Sequence, residues 1–240
     1  MGNELVPVDY TQLPAVSMGS DDSFAELAKG SDFLGRLQLY SKGAAISKGK
    51  IKPGTWGIPD GEDITDLGKS VDCIPYARRP KAIDLSDVEA IITDYDMESG
   101  EFQRIITASM QADSGCMYGT SFLVYERTTG RFLEYFCGTK STRTESKKIF
   151  PFLTLREEDI AARKLEGVEP HGPLAFTLEN RLIEKPRFSW HVPVVIRCST
   201  PFTREPTLEQ ITFEMNRFLN PTDAGVEKVN EKEASQERAR

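Results

Sequence analysis

Residues 121–152, SFLVYERTTGRFLEYFCGTKSTRTESKKIFPF, contain the clearest structural signal in this 240-residue chain. Two apolar and aromatic runs, SFLVYE and RFLEYFCG, flank the segment RTTG, which is typical of a β-hairpin with a glycine-containing turn. The polar stretch behind them begins with Thr139 and Ser141, either of which is a suitable helix N-cap. We therefore predict a hairpin at 120–137 that leads into a helix starting near Ser141.

Both faces of this predicted hairpin carry large apolar side chains. Successive residues of a strand point to opposite faces, so Phe122 and Val124 lie on one face and Leu123 and Tyr125 on the other. A hairpin with one wet face should carry polar residues on that face. Two explanations are open: the hairpin is buried on both sides, or its rings form a platform on which nucleic-acid bases stack.

Strands outnumber helices in the rest of the prediction. A second hairpin is predicted at 174–198 with its turn at Pro186, and an amphipathic helix follows at 206–219. Earlier segments with the composition of strands are DFLGRLQLYS, GTWGI, KSVDCIPYARR, EAIITDYD and RIITAS. Two prolines, Pro75 and Pro80, indicate that the third of these is an edge strand or an irregular one.

The order of strands, hairpin, helix and hairpin is that of an OB-fold. The predicted fold class is therefore mainly β with minor α, an OB-like Greek-key β-barrel with an inserted helix and a C-terminal helix. Other β-barrels and sandwiches with one inserted helix have the same order. In the closing strand, alternation predicts an interior face formed by Phe188, Trp190, Val194 and Ile196.

Composition divides the chain into four parts: a flexible N-terminal arm at 1–30, the barrel at 31–205, the amphipathic helix at 206–219, and a disordered or solvated tail at 220–240. The arm is rich in Pro, Ser, Gly and Asp, and the tail has almost no apolar residues to bury. We therefore expect the packed core to be confined to the middle of the chain.

The net charge of −7 is concentrated at the two ends. Residues 1–30 contain five acidic residues and one basic residue, and residues 206–240 contain seven acidic and five basic ones. Residues 32–81 instead contain nine basic and six acidic residues. The middle of the chain can therefore present a local positive surface, so the overall acidity does not exclude a nucleic-acid partner.

Aromatic and basic residues occur together in three separate places. Proteins that bind single-stranded nucleic acid stack bases on aromatic rings and place Lys and Arg along the phosphates. A charge run alone is also typical of a solvated helix face. On the first reading, the predicted binding residues are Tyr125, Phe132, Tyr135, Lys140, Arg143, Lys147 and Lys148 around the first hairpin, Lys50, Lys52 and Trp56 in KGKIKPGTW, and Tyr76, Arg78 and Arg79 in YARRPK.

Catalytic and metal-binding patterns are weak. The sequence has no GxSxG, HExxH, Walker A or GxGxxG motif, and its four cysteines lack the spacing of zinc ligands. Asp94, Asp96 and Glu98 resemble the start of a calcium loop without its closing Glu, which favours a solvated turn. A Cys paired in space with His191 stays open as a nucleophile. We expect no enzyme activity, cofactor, metal or small-molecule substrate.

The segments GRLQLYSKG, GKIKPGTWGIP, EDITDLGKSVDCIPYARRPKAID, SGCMYGTSFLVY and SWHVPVVIRCSTPF resemble a widespread, poorly characterised group of tailed-phage proteins. The resemblance covers about residues 32–202. The architecture is also similar to that of phage OB-fold single-stranded-DNA-binding proteins, which implies sequence-tolerant binding of single strands. Such proteins often end in an acidic tail, whereas this chain ends ASQERAR.

The expected function is single-stranded DNA binding in phage replication or recombination, by stacking and phosphate contacts. Self-association and replication proteins are further expected partners. No segment has the roughly 20 apolar residues of a membrane span, and no secretory signal is recognisable, so the expected location is the cytoplasm, that of the host for a phage protein. The alternative is a virion structural or assembly protein whose terminal arms contact neighbouring subunits.

Overall fold

A computed structural model describes residues 34–41, 46, 49–60, 63–87, 91–111, 113–153, 175–186, 188–198 and 206–221. The predicted arm at 1–30 lies outside the described residues, as does the predicted tail at 220–240 apart from its first two residues. About half of the described residues are in strands, so the chain is mainly β with few helices, as predicted.

Ten strands and three helices of seven or more residues form the described part of the chain. The strands are β1 (Gly35–Arg36), β2 (Gln38–Tyr40), β3 (Thr55–Asp60), β4 (Asp63–Gly68), β5 (Ser70–Asp84), β6 (Ile92–Asp94), β7 (Cys116–Glu126), β8 (Arg131–Cys137), β9 (Phe176–Lys185) and β10 (Phe188–Arg197). The helices are α1 (Gly100–Ala108), α2 (Lys140–Ser146) and α3 (Leu208–Leu219). No helix among the described residues has both the length and the apolar character needed to cross a membrane.

The strands form two open sheets. The larger has seven strands in the order β1-β8-β7-β5-β9-β10, with β6 paired to β5, and the smaller has the order β2-β3-β4. The β1–β8 pair is parallel, and the other pairs of the larger sheet are antiparallel. Within the described ranges no ladder joins the two end strands of either sheet. The closed barrel that we expected is therefore not present in this part of the chain.

The first hairpin is β7–β8, with its turn at Arg127–Gly130 as predicted. The buried Glu126 carboxylate accepts hydrogen bonds from the backbone N–H groups of Thr128 and Thr129 and from the Thr129 hydroxyl. Gly130 has φ 65°, a left-handed conformation that glycine adopts without a steric penalty. These two residues close the turn and set the register of the hairpin.

Elements on both sides of the large sheet bury the hairpin. On one face, Phe122 and Val124 pack in a core that includes Trp56 of the smaller sheet. On the other face, Leu123 and Tyr125 pack against α3. The apolar character of both hairpin faces is therefore explained by a central position in a three-layer arrangement, and a surface platform is not needed to account for it.

The segment RIITAS is helical, which corrects the predicted strand. Ser99 caps α1 by accepting the Phe102 N–H, and Phe102 and Ile105 pack on Ala82 and Cys116 of the sheet. The expected turn does precede it, and there the Asp94 carboxylate accepts the Asp96 N–H and the Ser99 hydroxyl. The short apolar run was ambiguous between helix and strand, and the capping serine was the signal for a helix.

Asp84 connects the end of β5 to α1. Its carboxylate accepts hydrogen bonds from the Ser86 hydroxyl at 2.6 Å and the Ser86 N–H at 2.9 Å, and from the Arg104 guanidinium at 2.7 Å. The side chain is only 7% exposed. The Ser86 hydrogen bonds and the Arg104 charge hold the pKa of Asp84 well below its usual range.

We expect Asp84→Asn to lower the free energy of unfolding at pH 7 by about 1–3 kcal/mol, because the variant loses a charge-assisted hydrogen bond. A carboxyl whose pKa is depressed by folding stabilises the protein above its ordinary pKa of about 4 and loses that contribution as the pH falls. The difference between variant and wild type should therefore shrink below about pH 4. Urea unfolding from pH 7 to pH 2.5 measures it, and a difference independent of pH would contradict the assignment.

Candidate nucleic-acid interface

Most aromatic residues of the predicted groove lie in the core. Trp56 and Tyr135 are buried with their ring centroids 5.7 Å apart, and Tyr76 and Tyr125 are buried against Phe132 at 5.5 and 5.2 Å. Phe132 alone of these five is partly exposed. A base cannot stack on the four buried rings unless the core opens. These four rings are packed in the hydrophobic cores, so the groove we predicted is not formed by them.

The basic residues around α2 have two roles: Arg143 anchors the helix to the sheet, and the lysines are exposed to solvent. Arg143 donates a hydrogen bond to the Tyr118 carbonyl at 3.0 Å, and its guanidinium lies 4.1 Å from the Tyr118 ring centroid. Lys140, Lys147 and Lys148 are exposed, and Lys148 pairs with a carboxylate one turn away at 2.7 Å. Arg143 therefore fixes the helix to β7, and the lysines face solvent.

Side chains of its own capping residues engage two backbone N–H groups at the start of α2. Thr139 and Thr142 form a capping box in which each side chain accepts the backbone N–H of the other. The Arg143 N–H also bonds to the Thr139 carbonyl at 2.8 Å. Phosphate affinity at this helix would therefore come from its lysines.

The basic residues of the other two predicted clusters also differ in exposure. Lys50, Lys52 and Arg78 are exposed, and the Arg78 guanidinium lies 4.4 Å from the centroid of the Phe150 ring. Arg79 is not a surface residue, because its side chain is only 9% exposed. We expected Arg79 to contact phosphate, and the structure instead places it inside a buried ion network.

Glu134 is the centre of this buried network. Its carboxylate bonds to Lys81 Nζ at 2.7 Å, to the Ser121 hydroxyl at 2.6 Å and to Arg79 at 3.2 Å. Burial alone would raise the pKa of Glu134, but the Lys81 charge and these hydrogen bonds outweigh burial and hold the pKa below its ordinary value. Arg79 also donates to the Phe218 carbonyl. The network therefore fastens the last turn of α3 to the sheet.

The predicted interior face of β10 is only partly buried: Val192 on that face is 6% exposed, but the main core contains Val195 from the other face. Val195 is buried in the main core beside Leu178, its partner in β9, whereas Ile196 is 40% exposed and Trp190 is partly exposed. Both alternate sets of β10 are apolar, so alternation did not distinguish them. The smaller sheet covers the face that carries Val195, and this contact places Val195 in the main core.

The outer edge of β10 is protected from pairing with another strand. The His191 N–H donates to Ser41 Oγ at 2.8 Å, and the Val195 N–H donates to the Glu145 carboxylate at 3.2 Å. Pro193, which lies between them on the same edge, has no N–H to leave unpaired. Side chains on the face of this hairpin are therefore better placed to bind a ligand than its edge.

On one face of β9–β10 the partly exposed ring of Trp190 lies between two exposed cations. Trp190 lies opposite Ile183, and Lys185 Nζ is 5.9 Å from the centroid of the Trp190 ring. Arg181 lies opposite Val192 on the same face, and both Arg181 and Lys185 are exposed. We call Arg181, Ile183, Lys185 and Trp190 the ribbon face.

The ribbon face projects beyond the body of the large sheet. β5 pairs with β9 only from Phe176 to Glu179, so the remaining six residues of β9 extend past it by roughly 20 Å at about 3.3 Å per residue. Arg181 and Lys185 were not among the predicted binding residues, because the alternation in β10 predicted Trp190 in the core. The signal was available in the hairpin pairing around Pro186, which places both cations on the side of Trp190.

Comparison of the chain with protein-family models finds no match, and comparisons with curated proteins and with solved structures find none either. Among the described residues, no cluster of three or more His, Cys, Asp or Glu side chains is arranged to hold a metal ion.

Proposed function

We propose that this protein binds single-stranded nucleic acid without sequence preference, and that the ribbon face is its main contact surface. The observation that carries the proposal is the partly exposed Trp190 between exposed Arg181 and Lys185 on a projecting hairpin. A base stacked on an aromatic ring contributes about 1–3 kcal/mol, and every base has a face that can stack. The two cations are placed to contact the phosphates on either side of that base.

The lysines of α2 extend this surface. Glu145 of α2 accepts the Val195 N–H, so the helix lies beside the strand that carries Trp190. Trp190 and Val195 are five positions apart, which is roughly 17 Å along a strand. A single strand that follows β10 would therefore pass from Trp190 to Lys147 and Lys148 within a few nucleotides.

Similarity of the element order to that of the OB-fold is part of this proposal. The hairpin, helix and hairpin follow in the order β7–β8, α2 and β9–β10. The His191–Ser41 hydrogen bond brings the edge of β10 next to the end of β2, where a barrel would close. A role in replication or recombination rests on the similarity to phage OB-fold single-stranded-DNA-binding proteins, and a location in the host cytoplasm rests on the resemblance of residues 32–202 to tailed-phage proteins.

Fluorescence polarisation of a labelled oligothymidylate across a salt series tests the interface. The double variant Arg181→Gln/Lys185→Gln should bind more weakly and reduce the slope of log affinity against log salt by about 1.4, because each phosphate that is no longer neutralised lowers the slope by about 0.7. Trp190→Ala should weaken binding and leave the slope unchanged, because stacking releases no counterions.

The matched control is Lys50→Gln/Lys52→Gln, which removes two exposed charges outside the ribbon face. This control should bind with the wild-type slope. If its slope falls while Arg181→Gln/Lys185→Gln retains wild-type affinity, the interface lies at the 49–53 loop and the ribbon face is not involved.

An assembly role is the second candidate function. Leu85, Ile91 and Ile92 lie together where β5 ends and β6 begins, and they are 40%, 57% and 40% exposed. Exposed apolar side chains grouped in this way are typical of protein interaction sites. Sedimentation analysis together with the polarisation assay distinguishes the candidates, because an assembly protein would associate without binding oligothymidylate and Ile91→Asp would disrupt the association.

A further inference from the structure

A pocket of about 320 Å³ lies between α3 and the edge of the large sheet formed by β1 and β8. Helix α3 contributes Phe213, Glu214 and Arg217 to its wall, and the strand side contributes Arg131 and Phe132. The pocket is at the β1 end of the sheet, whereas the ribbon face is at the β10 end. It is therefore separate from the proposed single-strand interface.

Among the charged side chains of the pocket, the Arg131 guanidinium forms only a weak ion pair. Glu214 pairs with Arg217 at 3.3 Å, and both side chains are mostly buried. Arg131 is 44% exposed and faces Asp60 at 3.8 Å, and Asp60 is itself 68% exposed. An ion pair that is this long and this exposed contributes little. Arg131 can therefore exchange Asp60 for an anionic ligand at small cost.

Apolar and aromatic groups form the rest of the pocket wall. Phe132 is held in place by Tyr76 and Tyr125, with ring centroids 5.5 and 5.2 Å away. Phe213 is partly exposed on the helix side. A Cβ added at Gly35 would lie 3.0 Å from Leu133 Cδ2, so the glycine allows β1 to pack closely on β8 beside the pocket.

We propose that this pocket binds a nucleoside 5′-monophosphate unit, with the base against Phe132 and Phe213 and the phosphate on Arg131. The volume is at the lower end of the roughly 300–1,000 Å³ of small-molecule sites, which suits one nucleotide. A guanidinium matches the geometry of phosphate oxygens with two parallel hydrogen bonds. The Glu214 carboxylate supplies an acceptor for hydroxyl or amino groups of the ligand.

Burial raises the pKa of Glu214, and the Arg217 charge opposes this effect. The helix side of the pocket therefore does not carry a strong uncompensated negative charge that would repel a phosphate. The same ligand unit can come from two sources, a free nucleotide or the 5′-phosphorylated end of a single strand.

Calorimetric titration of the full chain with AMP, adenosine and inorganic phosphate tests the pocket. AMP should bind at least tenfold more tightly than either adenosine or phosphate. Arg131→Gln should weaken AMP binding at least tenfold and leave adenosine binding unchanged, because it removes only the phosphate contact. Phe213→Ala should weaken both AMP and adenosine. The control Arg181→Gln/Lys185→Gln should bind AMP as the wild type does.

An AMP affinity no greater than that of phosphate, or an unchanged AMP affinity in Arg131→Gln, would overturn the proposal. Circular dichroism melting of each variant verifies that it is folded. The ligand is the 5′-phosphorylated end of a single strand if a 5′-phosphorylated oligothymidylate binds more tightly than the unphosphorylated one and Arg131→Gln removes the difference. If the two oligonucleotides bind equally well and AMP binding is retained, the ligand is a free nucleotide. Loss of AMP binding alone leaves the ribbon-face proposal standing.

Discussion

Glu134→Ala is expected to lower the free energy of unfolding by about 3–5 kcal/mol, the usual cost of removing one partner from a buried charge network. Lys81 is 2% exposed and Arg79 is held between the rings of Tyr95 and Phe218, so neither cation can reach water when the carboxylate is removed. The last turn of α3 should loosen as well, because Arg79 holds its Phe218 carbonyl. Urea unfolding at pH 7 measures the effect.

The matched control is Glu184→Ala, which removes an exposed carboxylate from β9 and should change the stability by less than about 0.5 kcal/mol. The double variant Lys81→Met/Glu134→Gln should recover part of the stability, because it removes one of the two stranded cations. If Glu134→Ala costs no more than the control, the buried network does not hold α3 to the sheet.

Trp56→Ala should also destabilise the protein by about 3–5 kcal/mol, as the deletion of a large buried aromatic residue does. Trp56 is fully buried between the two sheets and packs edge-on against Tyr135. Its Nε1 has no hydrogen-bond partner among the described residues. Trp56→Phe should therefore cost much less, since it keeps most of the packing and removes an unpaired buried N–H. Thermal and urea unfolding measure both variants.

Trp190, the other tryptophan, provides a comparison within the same protein. Trp190→Ala should change stability by less than half as much as Trp56→Ala, because the ring is partly exposed on the ribbon face. Its main effect should appear in nucleic-acid affinity. Equal destabilisation by the two substitutions would place Trp190 in the core and would remove the central observation for the proposed function.

The features that sequence predicted correctly are those with local causes. The RTTG turn, the Thr139 cap and the break at Pro186 act within a few residues, and they located β7, β8, α2, β9 and β10. Helix α3 was recognisable because its apolar positions repeat at helical spacing. The irregularity expected of the proline-containing strand is also present, as a register shift between Pro75 and Ala77 of β5.

The candidate site was predicted less well because the exposure of its residues depends on which layer covers each face of the sheet. Aromatic and basic residues next to each other in sequence alternate sides on a strand, so Arg78 is exposed while Arg79 is buried. The cation that lies closest to Trp190 among the proposed contacts, Lys185, comes from the neighbouring strand. A linear pattern cannot show which of two apolar faces meets another layer.

The sequence by itself determined where the hairpins, α2 and α3 lie, because turns, caps and periodicity are set by neighbouring residues. Only the tertiary structure decided that Trp56 is interior and Trp190 partly exposed, since the smaller sheet covers one face of the larger and α3 covers part of the other. It also decided that Arg79 and Lys81 meet Glu134, because that contact joins residues more than fifty positions apart. Burial is a property of the assembled layers, and no single segment contains the information that sets it.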